Sequence, residues 1–405
     1  MDLLAFLKGH APCYIYNGEQ IARQCQKLKM ELSGFEFLYS IKTNPFSHII
    51  QNISKEGFGA DAASAGEVLL SLKNGIAPEK IFYSAPGKTE EDIEICYGKC
   101  TIIADSISEI KHTNIAAARH KEIAKIGIRV NPNFSMQNEC GASSKFGIDI
   151  EQLLKGEDIL TGYSNIKITG IHIHIHIQSQ ILDFQILGKY YKNCFELAKK
   201  IHYMKNANIE FINFGSGIGA LYRETQDKPV DLEKLSKMIS EIIEENHAVL
   251  NAKLLIETGR FITCNAGKYY TQIVDIKESM GRKYLIVENA MNGFMRPTIA
   301  NLIYKTAGEI LTGYEPLYTC QDEFAVQVLN ESAEKEKVNI VGNLCTALDV
   351  IRENAEVNHS QIGDIIEITN AGSYAYSLSP LLFSSHRIPK QYYLYKNKIS
   401  EDEIL

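Results

Sequence analysis

A lysine, a buried carboxylate and a glycine-rich turn fall at the ends of β-rich runs, where a folded chain can concentrate chemistry. Lys42 follows the run at 35–41 (FEFLYSI). A lysine there is ordinarily solvated, but an amine held partly out of water can form a Schiff base with a carbonyl compound. Residues 213–219 (NFGSGIG) read as a turn from a strand into a helix. Backbone N–H groups and a helix N-terminus can cradle a phosphate there, and a plain tight turn is the alternative. The spacing is not that of a dinucleotide-binding fingerprint. Glu257, in IETGR at 256–260, closes an apolar run. A carboxylate so placed can hold a proton on a pyridine nitrogen and make the ring an electron sink, or it can pair structurally with Arg260. His172, His174 and His176 alternate with isoleucines, so all three share one strand face. His-x-His spacing can bind a metal. The ends of the first and last runs offer no matching ligand, so no metal is expected and His172 and His174 are expected to pack.

Such residues need a scaffold that brings many run ends together. Eight β-rich runs occupy 35–41, 57–62, 80–84, 101–105, 126–130, 166–177, 209–214 and 252–257, with helix-like stretches such as 65–74 and 187–204 between them. Strands alternating with helices imply a parallel sheet, and eight such units close a (β/α)8 TIM barrel whose active site lies at the carboxyl ends of its strands. Those ends would deliver Lys42, Asp61, Arg129, His176 with Ser179, the turn at Gly215, Ser216, Gly217 and Gly219, and finally Glu257 with Arg260. Beyond 260 the texture changes to short strands at 268–275, 283–288, 338–341, 365–369 and 391–395 without regular helices. That is the pattern of an antiparallel β-sandwich or barrel. A strand-like stretch at 12–16 can join it, and the charged run at 331–337 (ESAEKEK) reads as solvated surface. The expected division is a barrel over 22–262 and a β domain from 1–21 and 263–405.

The composition sets the outer limits. With 405 residues, 45% hydrophobic, 22% charged, a net charge of −7 and no Trp, the chain is of the ordinary globular kind, not fibrous or disordered. The 42 basic against 49 acidic residues give no reason to expect nucleic acid or an anionic membrane surface. No apolar run is long enough to span a bilayer, and the first ten residues lack the basic start of a signal peptide. Nine cysteines, an odd and scattered number, fit a reduced cytoplasmic protein.

The motifs together resemble the fold-type III pyridoxal-phosphate decarboxylases, which include the diaminopimelate, ornithine and arginine decarboxylases. The resemblance runs through YSIKTNP around Lys42, GFGADAASAGE at 57–67, IRVNP at 128–132, HIQSQ at 176–180, FGSGIG at 214–219 and IETGR at 256–260. It continues through MNGFMRP at 291–297, GNLCTALD at 342–349 and AGSYAYSLSP at 371–380. The resemblance implies an alanine-racemase-like barrel holding pyridoxal 5'-phosphate. Lys42 would carry the cofactor as an aldimine, with Asp61, Glu67 and Arg129 around it. His176 would stack on the ring and Glu257 would meet its nitrogen. Ser179, the turn at 215–219, Arg260 and Tyr374 would hold the phosphate and ring region. Cys345 would protonate the quinonoid left by decarboxylation, from the partner subunit of a head-to-tail homodimer with shared active sites.

Three departures bear on the substrate. The acid that follows the catalytic cysteine in diaminopimelate and ornithine decarboxylases is here Thr346, Gln178 replaces the usual glycine before Ser179, and the sixth run is longer than the family's. The last leaves His174 as the alternative to His176. The CTALD string and the tail SLSPLLFSSH look like an antibiotic and siderophore biosynthetic branch, some of whose members act on carrier-bound glutamate or citryl-linked diamino acids. Arg296 resembles an arginine that grips a substrate carboxylate. Arg260, Arg296, Thr346 and Tyr374 are therefore the expected substrate contacts, for an amino acid or conjugate, free or carrier-protein-bound. A racemase of the same cofactor class and a non-catalytic relative are the alternatives; Cys345 argues against the first, and Lys42 with Cys345 against the second.

Overall fold

Alternating apolar residues build strands in the first two thirds, and the helices between them return the chain so that neighbouring strands run parallel. The computed structural model describes residues 2–136, 140–156, 159, 162–173, 179–205, 208–246, 251–307 and 323–401. Its contacts divide the chain into two units, one of Gln24–Gly219 and Pro229–Gly259, the other of Met1–Arg23, Ala220–Lys228 and Arg260–Leu405. Strand β1 (Cys13–Asn17) belongs to the latter.

The first unit is a barrel. It holds β2 (Glu36–Ser40), β3 (Gly59–Ala62), β4 (Ile81–Tyr83), β5 (Thr101–Ala104), β6 (Ala124–Asn131), the two-residue β7 (Ile148–Asp149), β8 (Ile166–Ile173), β9 (Phe211–Asn213) and β10 (Lys253–Thr258). The strands follow the order β5-β4-β3-β2-β10-β9-β8-β6, all in parallel, and β5 against β6 closes the eight-stranded ring, with β7 attached to β6 outside it. The TIM barrel expected from the eight runs is therefore present. Helices Ala65–Lys73 and Phe184–Lys205 lie where two of the helical stretches were predicted.

The ring is filled. Leu38, Phe82, Ile103, Phe211 and Leu255 form one buried cluster, and each large apolar side chain removed from water there contributes about 1.5–3 kcal/mol. Phe211, the first residue of β9, has its place because Gly170 on β8 carries no side chain. A Cβ at Gly170 would lie 1.8 Å from Phe211 Cζ. Apolar side chains thus plug the barrel, and buried polar residues such as Asp61, Arg129, Asn213 and Glu257 lie toward the carboxyl ends of the strands.

The second unit is mainly strand. It contains β1, β11 (Gly267–Ser279), β12 (Arg282–Val287), β13 (Val326–Val328), β14 (Lys335–Gly342), β15 (Val350–Asn358), β16 (Ile365–Ile368), β17 (Lys390–Tyr395) and β18 (Lys398–Glu401). The path is β15-β14-β12-β11-β1-β17-β18, with β16 on β11 and β13 on β16. Three expectations are corrected here. The sheet is not wholly antiparallel, because β1 with β17 and β12 with β14 pair in parallel. A helix, Met295–Ala307, interrupts the strands; Pro297 in its first turn is a permitted helix-start position that the strand-rich surroundings obscured. The charged run is not all surface, because β14 begins at Lys335 and Glu336 pairs with Lys283 at 2.5 Å while accepting from Ser360 N at 2.9 Å. Among the described residues no helix is long and apolar enough to cross a membrane.

Candidate active site

The barrel's strand ends carry the chemistry. Lys42 sits in a one-turn 3-10 helix, Ile41–Thr43, directly after β2, with its side chain half-buried. Beside it in the sheet, Ser40 on β2 is level with Asp61 on β3 and donates to Asp61 Oδ2 at 3.0 Å, while Ser84 donates to Oδ1 at 2.5 Å. Glu67 stands in the first turn of the next helix, where its Oε2 accepts from Ala63 N at 2.7 Å. Burial pushes its carboxyl up to about 7; the Ala63 N–H pulls it down, the Asp61 charge pushes it up and the Lys42 charge pulls it down. Lys42, Asp61 and Glu67 thus share one electrostatic environment.

Arg129 on β6 is almost wholly buried, with Nη1 3.6 Å from Asp105 Oδ1 and its guanidinium 4.6 Å from the Phe146 ring centre. Asp105 accepts from Gly147 N at 2.7 Å. Next to this pair lies a second one that motif reading misses, Lys88 with Glu109 at 2.8 Å, both buried. Glu109 also accepts the N–H groups of Gly87, Lys88 and Asp105. Burial lowers the Lys88 amine, and the Glu109 charge opposes the shift. In the sequence Ser106-x-x-Glu109 reads as a capping box, which hides the other use of Glu109. Lys88 follows β4 by five residues, in the loop before the next helix, and nothing in its type or spacing sets it apart.

Opposite strands carry Glu257. Its Oε1 accepts from Asn213 Nδ2 at 2.8 Å and lies 3.2 Å from His172 Nε2, and all three side chains are buried. His172 therefore does more than fill space, since it lies against the carboxylate. His174, His176 and Gln178 fall outside the described residues. Ser179 is buried two positions before Ile181, which bridges in parallel to Ile218 in the glycine turn.

That turn is built to expose its backbone. Gly215 and Gly217 have φ of 61° and 81°, the left-handed region that side chains resist. Asn213 Oδ1 takes the N–H of Gly215, Ser216 Oγ takes that of Ile218, and Ile181 O takes that of Gly219. Among the described residues, the N–H groups of Ser216 and Gly217 meet no acceptor, so the turn keeps two donors for an anion. The helix expected behind it is not there. Residues 220–231 are turn and coil, closed by the Arg223–Asp227 ion pair at 2.7 Å, and the next helix starts at Leu232. Pro229 and the polar stretch before it explain the delay.

The strand-rich unit gathers its own polar group. Tyr222 OH accepts from Arg260 Nη1 at 2.6 Å and from Arg296 Nη1 at 3.4 Å. Arg296 Nη2 pairs with Glu323 and its Nη1 donates to Ser373 O at 3.3 Å. The Arg260 guanidinium lies 5.1 Å from the Tyr374 ring centre. Two buried guanidiniums meet at one tyrosine hydroxyl, and Arg296 also pairs with the buried carboxylate of Glu323. Burial raises the Tyr222 hydroxyl and the two arginines oppose it. Tyr222 and Glu323 carry no motif that would single them out. In the same unit Cys345 is exposed in the hairpin between β14 and β15, and Thr346 beside it accepts from Leu348 N at 3.3 Å.

Residues 18–264, more than half of the 405, match the family model described as the pyridoxal binding domain of pyridoxal-dependent decarboxylases. The chain belongs to this family. The decarboxylase is 29% identical over 391 residues to a diaminopimelate decarboxylase of Zymomonas mobilis, covering 92% of this chain and 86% of that protein. It is 28% identical over 410 residues to the L-glutamyl-[BtrI acyl-carrier protein] decarboxylase of Niallia circulans, covering 97% and 92%. The fold matches that of a diaminopimelate decarboxylase from M. jannaschii with a TM-score of 0.85, at 23% identity over 98% of this chain and 90% of that one. The decarboxylase is thus a pyridoxal-phosphate-dependent carboxy-lyase. The residues present fit the cofactor: a strand-end amine, a buried carboxylate with its own donor, and a turn with two N–H groups available to a phosphate.

Proposed function

We propose that this decarboxylase removes the α-carboxylate of an amino acid whose far end carries an acyl conjugate or a carboxylate, with carrier-bound glutamate and citryl-linked diamino acids as the leading classes. The observation that carries the catalytic reading is the content of one set of strand ends in one closed ring: Lys42 with Asp61 and Glu67, Glu257 with Asn213 and His172, and the open turn at Gly215–Gly219. Thr346, in place of an acid that would read a distal ammonium, supports the substrate class, and so does the similarity to a glutamyl-carrier decarboxylase.

Pyridoxal phosphate, when bound, supplies a ring that accepts the electron pair left by the departing carboxylate. Lys42, half-buried just after β2, would hold the cofactor through its Nζ. Glu257 would accept a hydrogen bond from the ring nitrogen and keep its proton in place, and the Asn213 amide fixes that carboxylate. Gly215, Ser216, Gly217, Gly219 and Ser179 bind the phosphate, with Arg260 and Tyr374 as further anchors. His176 covers the ring face. Arg129 and Asp61 hold the polar surroundings of the lysine. Arg296 and Thr346 meet the substrate, and Cys345 Sγ delivers the proton that replaces carbon dioxide at Cα.

Cys345 is exposed, and a proton donor works best where water is excluded, which supports a homodimer with shared active sites. Eight described cysteines are free, which supports a reducing, cytoplasmic setting. The experiment is a carbon dioxide release screen on the holoenzyme with meso-diaminopimelate, both enantiomers of ornithine and lysine, and glutamyl and citryl conjugates. Release from a conjugate well above that from diaminopimelate is expected, with loss in Lys42→Ala. Turnover of ornithine or lysine alone would overturn the substrate reading, and racemisation without gas release would overturn the reaction.

A further inference from the structure

Asp349 closes the motif that contains Cys345 and does not touch solvent. It is 2% exposed, and its two carboxylate oxygens go to two different segments. Oδ2 accepts from the backbone N–H of Leu344 at 2.9 Å, immediately before Cys345. Oδ1 accepts from the N–H of Met291 at 2.7 Å, the first residue of MNGFMRP, which leads into Arg296. The main chain closes the same loop, with Gly342 N donating to Asp349 O at 2.9 Å. Gly342 leaves room for the carboxylate, because a Cβ there would lie 2.0 Å from Asp349 Oδ2. The helix Met295–Ala307 is fastened to the same hairpin, where Thr298 Oγ1 donates to Val350 O at 2.9 Å and Asn301 Nδ2 to Ile351 O at 2.5 Å.

A hairpin loop with an exposed cysteine has no reason in its own propensity to hold one position. A buried carboxylate that accepts one N–H from the thiol loop and one from the arginine segment supplies that reason. We propose that Asp349 is a positioning residue, whose carboxylate clamps the Cys345 loop to the Met291–Arg296 segment of the same chain and so sets where the Cys345 thiol stands. This rests on the assignment of Cys345 as the proton donor. The clamp can nonetheless be tested apart from that assignment.

Two variants displace the carboxylate differently: Asp349→Asn keeps the volume and loses an acceptor, and Gly342→Ala keeps Asp349 and pushes it aside. Each is measured for the iodoacetamide alkylation rate of Cys345 by peptide mass spectrometry on the apoprotein, for kcat and KM of the holoenzyme, and for the thermal midpoint. A thiol misplaced by about 1 Å should lower kcat by about 10- to 100-fold. KM should stay within about threefold and the alkylation rate should change by at least about fivefold in both variants. A lowered thermal midpoint with unchanged alkylation and unchanged kcat would show a purely structural role and overturn the proposal. Unchanged values throughout would overturn it as well. Cys345→Ser separates the two ideas: full decarboxylation in that variant refutes the proton-donor assignment, while the alkylation result for Asp349→Asn still decides the clamp.

Discussion

Replacing Asn213 with alanine deletes two hydrogen bonds that meet in one buried amide. Nδ2 donates to Glu257 Oε1 at 2.8 Å and Oδ1 accepts from Gly215 N–H at 3.0 Å. One end of the amide thus fixes the carboxylate assigned to the ring nitrogen, and the other fixes the turn assigned to the phosphate. A hydrogen bond to a charged group is worth about 1.5–3 kcal/mol. His172 Nε2, 3.2 Å from the same oxygen, partly replaces the lost donor, so the effect belongs near the lower end. That corresponds to pyridoxal phosphate binding roughly 10- to 30-fold weaker. The assay is a titration of apoprotein with the cofactor, followed by its absorbance, with Lys42 intact. Asn213→Asp is the companion variant: it keeps the acceptor for Gly215 but sets a second carboxylate against Glu257. It should bind more weakly than the alanine variant at neutral pH and recover on acidification. A dissociation constant for Asn213→Ala within about twofold of the wild type, in a protein folded by circular dichroism, would refute the reasoning.

Two further outcomes concern buried charges. Glu67, pushed up to about 7 from 4.5, binds its proton more tightly in the folded chain, so its contribution to stability falls as pH rises through that window. The fall is at most about 3–4 kcal/mol at 1.36 kcal/mol per pKa unit. Glu67→Gln should remove that slope in urea unfolding between about pH 5 and pH 8, and parallel profiles for variant and wild type would exclude it. Arg296 and Glu323 are fully buried and paired. Glu323→Leu alone should destabilise by about 3–5 kcal/mol, and Arg296→Met with Glu323→Leu by less, because only the single variant strands a buried charge. Denaturant melts that rank the double variant as the worse would contradict the pairing.

The barrel was legible because its signal is local. Apolar runs such as IGIRV at 126–130 and TIIAD at 101–105 state their own conformation, and their spacing implies the helices between them. The second unit was legible only where strands are apolar. Strand β15, VIRENAEVN, alternates with charged residues and carries no β-rich run, and helix Met295–Ala307 begins inside a recognised motif. At the site, motif reading reached Lys42, Asp61 and Glu257 because each ends a strand. It did not reach the Lys88–Glu109 pair or the Arg296–Glu323 pair. Their partners stand 21 and 27 residues apart, and an ion pair across such a distance leaves no periodicity in the sequence. The glycine turn was found, but its helix was misplaced: glycines mark where a chain turns sharply and leave the conformation beyond the turn open.

Strand β1 has a consequence for synthesis on the ribosome. It is made before every strand of the barrel, yet it pairs with β11 along Cys13↔Tyr270 and with β17 along Cys13↔Lys390. Its first partner strand is translated some 250 residues later, and its second some 375 residues later. Until then a strand with buried Cys13, Tyr14 and Tyr16 waits without a sheet, although the barrel's strands are all complete by Thr258. The nascent chain therefore carries an apolar, unpaired edge until β11 is made, so capture by a chaperone and mispairing between neighbouring chains compete for the same segment. Expression that slows translation after the barrel is complete should raise aggregation through β1.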